Sequence, residues 1–181
     1  QNIIEHCHGL PIALATAAAS VRRLRYAWYD ARRRLDENLW NSKDRMDLGG
    51  HEGLASVFSV VLSVLDDYDE QLESLEHRGH RWKDLYMSFC VMDSSSLSIP
   101  VEVLSLMWRV PVWSAERTCQ IFADLSLGSF SDGSSAGTRI MQLHGLQFAY
   151  CERLAAGMPC WEKGLASWHD RLIAGFLNEV D

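Results

Sequence analysis

Between Ile99 and Ala155 the hydrophobic period changes twice, and this order of periods constrains the fold more than any other feature. Ile99-Pro100 fixes an extended residue ahead of a helix start, because the residue before proline avoids the α region. Val101 to Trp108 reads as a short helix. Ser114 is placed to cap a second helix running to about Leu125, with Ala115, Cys119, Phe122 and Leu125 inward and Glu116 and Arg117 outward. Leu127 to Phe130 and Arg139 to Leu143 are short strand-like runs. The turn-rich Ser131-Asp132-Gly133-Ser134-Ser135-Ala136-Gly137 joins them as a hairpin. A further helix runs from Gly145 to about Ala155. Helix, helix, strand, loop, strand is the order of a winged-helix unit, with Ser131–Gly137 as its wing.

The flanks are helical. Leu14, Ala17, Val21, Leu24, Trp28, Ala31 and Leu35 recur at spacings of three and four, on one helix face. Pro11 suits the first turn of that helix, where its missing N–H costs nothing. The period leaves open one long helix or two joined near Arg23–Tyr26. Asn41 to Gly53 is polar and glycine-rich and forms a loop or linker. Leu54 to Leu65 is apolar enough for a buried helix, while its valines leave a strand open. Arg81 to Cys90 is expected to be helical, with Trp82, Leu85 and Phe89 on one face. After Gly157-Met158-Pro159, the residues Trp161, Leu165, Trp168, Leu172 and Phe176 mark a final amphipathic helix.

The expected fold is therefore mainly α: a helical subdomain, then a winged-helix subdomain of two helices and a β-hairpin, then a C-terminal amphipathic helix. The corresponding spans are residues 1–40, a linker at 41–53, residues 54–156 and a connector helix at 157–181.

Charge and cysteine usage narrow the function. A net charge of −7 argues against a nucleic-acid binder, which needs a basic surface to neutralise phosphates. The five cysteines (Cys7, Cys90, Cys119, Cys151, Cys160) are odd in number and form no C-x-x-C pair. They read as reduced, mostly buried thiols, and a cytoplasmic location is expected. No apolar run reaches the length of a membrane span. The chain opens without Met, directly into an apolar pattern (Ile3, Ile4, Cys7), so the true N-terminus is expected to lie upstream.

Three strings in order carry a family resemblance. His6-Cys7-His8-Gly9-Leu10-Pro11-Ile12-Ala13-Leu14 resembles C-x-G-L-P-L-A-L of the NB-ARC signalling ATPases, the switches of the apoptotic protease-activating factor and plant resistance-protein type. Trp28 and Leu35 resemble the W-x-x-x-L segment that follows. Ser98 to Trp108 resembles the I-P-x-x-x-L-x-x-L-W signature of the family's winged-helix subdomain. Leu143-His144-Gly145-Leu146-Gln147 resembles L-H-D-L-Q, a form of the M-H-D motif. Against that pattern, residues 66–81 read as an insertion.

The resemblance implies a nucleotide-dependent switch rather than a complete enzyme. It places Gly9, Leu10 and Pro11 beside the adenine and ribose of bound ADP, and His144 against the β-phosphate. An imidazole N–H can donate to a phosphate oxygen, tying the winged helix to the nucleotide in the closed, inactive state. ADP or ATP is the implied cofactor, with magnesium held in an upstream nucleotide-binding domain. A downstream repeat or sensor domain and a homo-oligomer on activation are the implied partners, in apoptosis or defence signalling. Gly145 stands where the family usually has Asp. This copy is then either weakly autoinhibited or no longer switches.

The chain holds no G-x-x-x-x-G-K-[ST] phosphate cradle. Leu65-Asp66-Asp67 looks like a magnesium-binding acidic pair but follows the Gly-Leu-Pro-Ile string, which is the wrong order. Hydrolysis by this chain alone is not expected. His6, Cys7 and His8 point different ways on a helix, and His77 and His80 lack a partner set, so no metal site is expected. The alternative function is a DNA-binding winged-helix regulator, with the Ser114–Leu125 helix in the major groove. Its charges, Glu116, Arg117 and Asp124, match phosphate poorly.

Overall fold

The computed structural model describes residues 10–24, 33, 57–62, 82–92, 98–133, 137–156 and 161–179. Helix α1 spans Pro11–Leu24. Residues 57–62 are helical, which settles the choice left open by the valines. Helix α2 (Trp82–Met87) runs into a 3-10 turn (Ser88–Val91). Strand β1 (Ser98–Pro100) leads directly into α3 (Val101–Trp108), followed by α4 (Val112–Asp124). Strands β2 (Ser129–Asp132) and β3 (Arg139–Gln142) form a hairpin before α5 (Gly145–Ala156) and α6 (Trp161–Glu179). Among the described residues the chain is mainly helical with one small antiparallel sheet, as the periods indicate.

The sheet has the order β1-β3-β2, with Ile99 opposite Met141 and Phe130 opposite Met141. Helix, strand, two helices and a hairpin that pairs with the first strand make a winged-helix topology over residues 82–142. Strand β1 was legible only as an extended residue before Pro100. Its apolar side chain Ile99 is buried at 3% exposure, opposite Met141 of β3. Proline is tolerated because Pro100 ends an edge strand. Strand β2 starts and ends two residues later than its apolar run, so the wing begins at Gly133, where Gly133 N–H donates to Thr138 C=O at 2.7 Å. Ser134 to Ala136 lie outside the described residues. At the base of the wing Arg139 lies over the Phe130 ring at 4.1 Å and pairs with Asp132 at 3.4 Å.

The core is aromatic. Phe122 of α4 meets Trp82, Tyr86 and Phe89 edge-on, with centroids 5.8, 5.3 and 6.1 Å apart. Phe89 also meets Trp108 of α3 edge-on, and Phe58 of the 57–62 segment meets Tyr150 of α5 at a tilt. Edge-to-face packing suits the ring quadrupoles. The polar tips are satisfied: Trp108 Nε1–H donates to Ser88 Oγ at 2.8 Å, and Ser88 Oγ–H to the Leu85 carbonyl at 2.6 Å.

Helix α4 buries Ala115, Cys119, Phe122 and Leu125 completely, as its spacing predicts. Its start differs. Pro111 occupies the N-cap position with no side-chain cap, and Ser114 lies inside the helix, buried, its hydroxyl without a partner. Proline is the stronger signal because its fixed φ already suits the turn into a helix.

Helices α3 and α4 end alike. Arg109 and Ser126 are left-handed, at φ of 56° and 55°. Arg109 N–H donates to Leu106 C=O and Val110 N–H to Ser105 C=O; Ser126 N–H donates to Ala123 C=O and Leu127 N–H to Phe122 C=O. Both are Schellman caps whose following residue, Val110 or Leu127, is buried.

Two apolar stripes sit differently from their spacing. Helix α1 buries Ala13, Thr16, Ala17 and Ser20, while Leu14 and Val21 are only half-buried. Small side chains let the helix axis come close, so the contact line follows them rather than the bulkier stripe. Trp28, Ala31 and Leu35 lie outside the described residues, as do the 41–53 linker, residues 66–81 and the 157–159 break. On α6, Trp168 is buried and Leu165 and Leu172 are half-buried, but Phe176 is 47% exposed. The contact there passes through Gly175, where a Cβ would come within 2.9 Å of Leu106 Cβ on α3.

Phe122→Ala removes the ring on which three others pack, and is expected to cost about 3–5 kcal/mol, read as a lower urea midpoint. Burial also sets an alkaline limit. Desolvation, with Glu116 adding, raises the Cys119 thiol from 9.0 to about 12, and burial raises the Tyr86 and Tyr150 phenols. Above pH 9.0 the unfolded chain releases the Cys119 proton while the folded chain keeps it, so stability falls as pH rises toward about 12, by about 1.4 kcal/mol per pH unit for each such group. Urea midpoints that stay level from about pH 8 to about pH 11 would contradict this.

Candidate functional site

The two strings singled out in the sequence both start helices. Leu10 C=O accepts the first helical bond of α1, from Leu14 N–H at 3.1 Å, so Pro11 is the first helical residue, as expected. Leu10 is half-buried and Pro11 is exposed. Gly9 lies outside the described residues, with Cys7 and the histidines at 6, 8, 77 and 80.

His144 occupies the corner between β3 and α5 and is exposed. It serves as the N-cap of α5. Its Nδ1 accepts a hydrogen bond from Leu146 N–H at 3.2 Å, and its carbonyl accepts from Gln147 N–H and Phe148 N–H. Gln147 reaches back, its Oε1 accepting from His144 N–H at 2.8 Å. The Gln147 half is that of a capping box, while the histidine ring caps the N2 amide of Leu146 instead of N3. Because Nδ1 is an acceptor, the neutral ring carries its proton on Nε2. The exposed histidine therefore presents an N–H donor.

Gln147 is the residue that the sequence reading passed over. It is 2% exposed, and both ends of its amide are hydrogen-bonded. Beyond capping α5, its Nε2–H donates to the Ser126 carbonyl at 2.8 Å. That same oxygen lies 3.1 Å from Thr16 Oγ1 on α1. Thr16 has one proton to give and lies closer, at 2.8 Å, to Ile12 C=O in its own helix. The Gln147 bond is therefore the firmer of the two on Ser126. The helix begun by Pro11 and the helix begun after His144 thus meet at one carbonyl, at the end of α4. The neighbouring Leu127 carbonyl accepts from Tyr86 O–H at 2.9 Å. Burial, followed by the nearby Cys151, holds the Tyr86 phenol protonated well above its ordinary range, so the donor persists. A signal for Gln147 was present: Gln three residues after a capping side chain is the capping-box spacing.

The first turns of α1 and α5 carry no acidic side chain. Their N-terminal partial charges are uncompensated by carboxylates and favour an anion. A Cβ at Gly145 would meet nothing within 4 Å, so the aspartate expected there by resemblance is missing for no steric reason. Among the described residues no group of three or more His, Cys, Asp or Glu side chains gathers to hold a metal. No described helix is long and apolar enough to cross a membrane. No family model matches the chain, and no curated protein matches it.

Gln147→Leu keeps the side-chain volume but removes both bonds and leaves the Ser126 carbonyl without its closer donor. A loss of about 2–3 kcal/mol is expected, measured by urea unfolding. A loss under about 0.5 kcal/mol would show that the corner does not depend on this amide.

Proposed function

We propose that the chain is the regulatory part of an NB-ARC-type signalling ATPase, contributing two walls of an ADP site and coupling nucleotide state to autoinhibition and assembly. The observation that carries this is the meeting of α1 and α5 on the Ser126 carbonyl. A switch of this kind requires the Gly-Leu-Pro-Ile helix and the histidine corner to be held in one register, and a buried amide and a hydroxyl do that here.

The residues fit the nucleotide's chemistry. Pro11 offers a rigid, exposed apolar ring at a helix start, suited to a purine or ribose face. Leu10 backs it, with Gly9 preceding. His144 offers Nε2–H to a phosphate oxygen, beside an α5 N-terminus that carries no carboxylate. The phosphate cradle and magnesium site belong, in this reading, to an upstream nucleotide-binding domain, so the chain is not itself an enzyme. A downstream sensor domain, oligomerisation on activation and a cytoplasmic location complete it.

A DNA-binding role draws less support from the same topology. The outward residues of α4 include Val112 at 43% and Trp113 at 55% exposure, with Glu116, Arg117 and Gln120. That surface places one arginine beside a glutamate, within a chain of net charge −7. It is suited to apolar contact more than to phosphates.

His144→Ala in the full-length parent protein tests the proposal. ADP retained through purification, quantified by chromatography of the denatured protein, should fall by about tenfold or more, the scale of one charge-assisted hydrogen bond. The isolated chain should remain folded, because only one cap bond is lost. Unchanged nucleotide content would overturn the assignment of His144.

A further inference from the structure

His144 holds the start of α5 through a lone pair that a proton can take. Its Nδ1 accepts from Leu146 N–H at 3.2 Å, so the ring caps the helix only while that nitrogen is unprotonated. Imidazole is the side chain whose charge ordinarily changes between about pH 5 and about pH 8. This one is exposed to the solvent that supplies the proton. Once protonated, Nδ1 is a donor facing a second donor, the Leu146 N–H. The new charge also sits at the positive end of the α5 dipole. Among the described residues no carboxylate pairs with His144 to hold that charge in place. The first turns of α1 and α5 carry no acid, and β1, the 3-10 turn and residues 57–62 carry no charged side chain. On the other packed segments, Arg139 of β3 pairs with Asp132, and Asp124 of α4 accepts from Gln120. Lys83 and Asp84 lie in the first turn of α2, Arg22 at the far end of α1, and Glu152 and Arg153 two turns along α5. Burial keeps the Tyr86 and Tyr150 phenols and the Cys151 thiol protonated throughout this range.

We propose that protonation of His144 uncaps α5, making this corner a pH-sensitive switch. In the neutral form two side-chain contacts hold the helix start: Leu146 N–H on the ring, and His144 N–H on Gln147 Oε1. A proton from solvent occupies the Nδ1 lone pair, the ring swings away, and the Leu146 N–H turns to water. Gln147 lies in the same first turn, and its Nε2–H donates to the Ser126 carbonyl at 2.8 Å. Loss of the ring contact therefore loosens the turn that carries the buried anchor between α5 and the end of α4. The capped chain holds no proton on Nδ1 and the uncapped chain holds one. The cap is therefore strongest at neutral pH and weakens as pH falls. The switch rests on the cap alone and does not depend on nucleotide binding, although it acts at the residue assigned above to a phosphate oxygen.

The test titrates the purified, nitrogen-15-labelled 181-residue chain by NMR from about pH 8 to about pH 5. The Leu146 amide proton should move upfield as its hydrogen bond is lost, with the same midpoint as the His144 ring nitrogens. His144→Asn supplies the control, because asparagine is a good N-cap that does not titrate. Urea unfolding of both chains across the same range isolates the effect from the other histidines. The unfolding constant of the wild type relative to His144→Asn should rise about two- to tenfold in acid, the scale of one neutral hydrogen bond. Should His144→Asn fail to fold, the wild-type amide titration decides alone. A Leu146 amide that stays fixed while the His144 ring titrates, a ring that takes up no proton in this range, or equal acid sensitivity in the two chains would overturn the proposal.

Discussion

The structure turns on the corner at Ser126 and Leu127. A helix that ends in the interior leaves carbonyls that no strand or turn accounts for, and burying them unpaired is costly. Here α4 ends on a left-handed serine, so the Ser126 and Leu127 carbonyls face away from their own helix. Donors come to them from elsewhere: Gln147 and Thr16 to the first, Tyr86 to the second. Those donors belong to α5, α1 and α2. The same corner starts β2 and thereby the wing. Helix α1, the winged helix and α5 are thus joined at one short stretch of backbone.

The two Schellman caps show how much is asked of that backbone. Glycine is the usual left-handed residue, and an L side chain there costs roughly 1 kcal/mol or more. Arg109 and Ser126 both accept that cost. What offsets it is burial of the next residue, Val110 at 8% and Leu127 at 0% exposure. A fully buried leucine contributes about 1.5–3 kcal/mol, enough to hold the turn. At Ser126 the conformation also aims the carbonyl that α1 and α5 share. Backbone strain and the shared anchor of α1 and α5 therefore sit at the same residue.

The elements that the sequence revealed are those whose stabilisation is periodic and local. Ala115, Cys119, Phe122 and Leu125 are read directly because one helix face is buried along its whole length. Pro11 and Pro100 are read because proline acts on its own backbone. What was missed depends on partners far along the chain. Strand β1 holds only Ser98 to Pro100, and it exists because β3 supplies the ladder. The contact line of α1 follows Ala13, Thr16, Ala17 and Ser20, since proximity rather than side-chain bulk decides it. Ser114 looked like a cap, but the competing Pro111 one turn earlier was the better helix start. At the candidate site His144 was singled out by motif, whereas its cap geometry and the second bond of Gln147 needed the Ser126 carbonyl in view.

The donors on that carbonyl are not equivalent, and the difference bears on which contact would give way first in a switching motion. Thr16 already has a second acceptor in Ile12 C=O, and the shorter of its two contacts. Its hydroxyl stays satisfied if α1 draws away from the corner. Gln147 has no such reserve in the contacts it makes: its oxygen is committed to His144 N–H, and its amide nitrogen to Ser126. Pulling α5 from the corner strands a buried amide, worth about 1–3 kcal/mol, beyond the packing lost. The polar contacts therefore bind α5 and its histidine cap to the winged helix more firmly than they bind α1. In a nucleotide-driven opening of the proposed kind, His144 would travel with the winged helix as one body, and the parting would fall between that body and the helix that Pro11 begins.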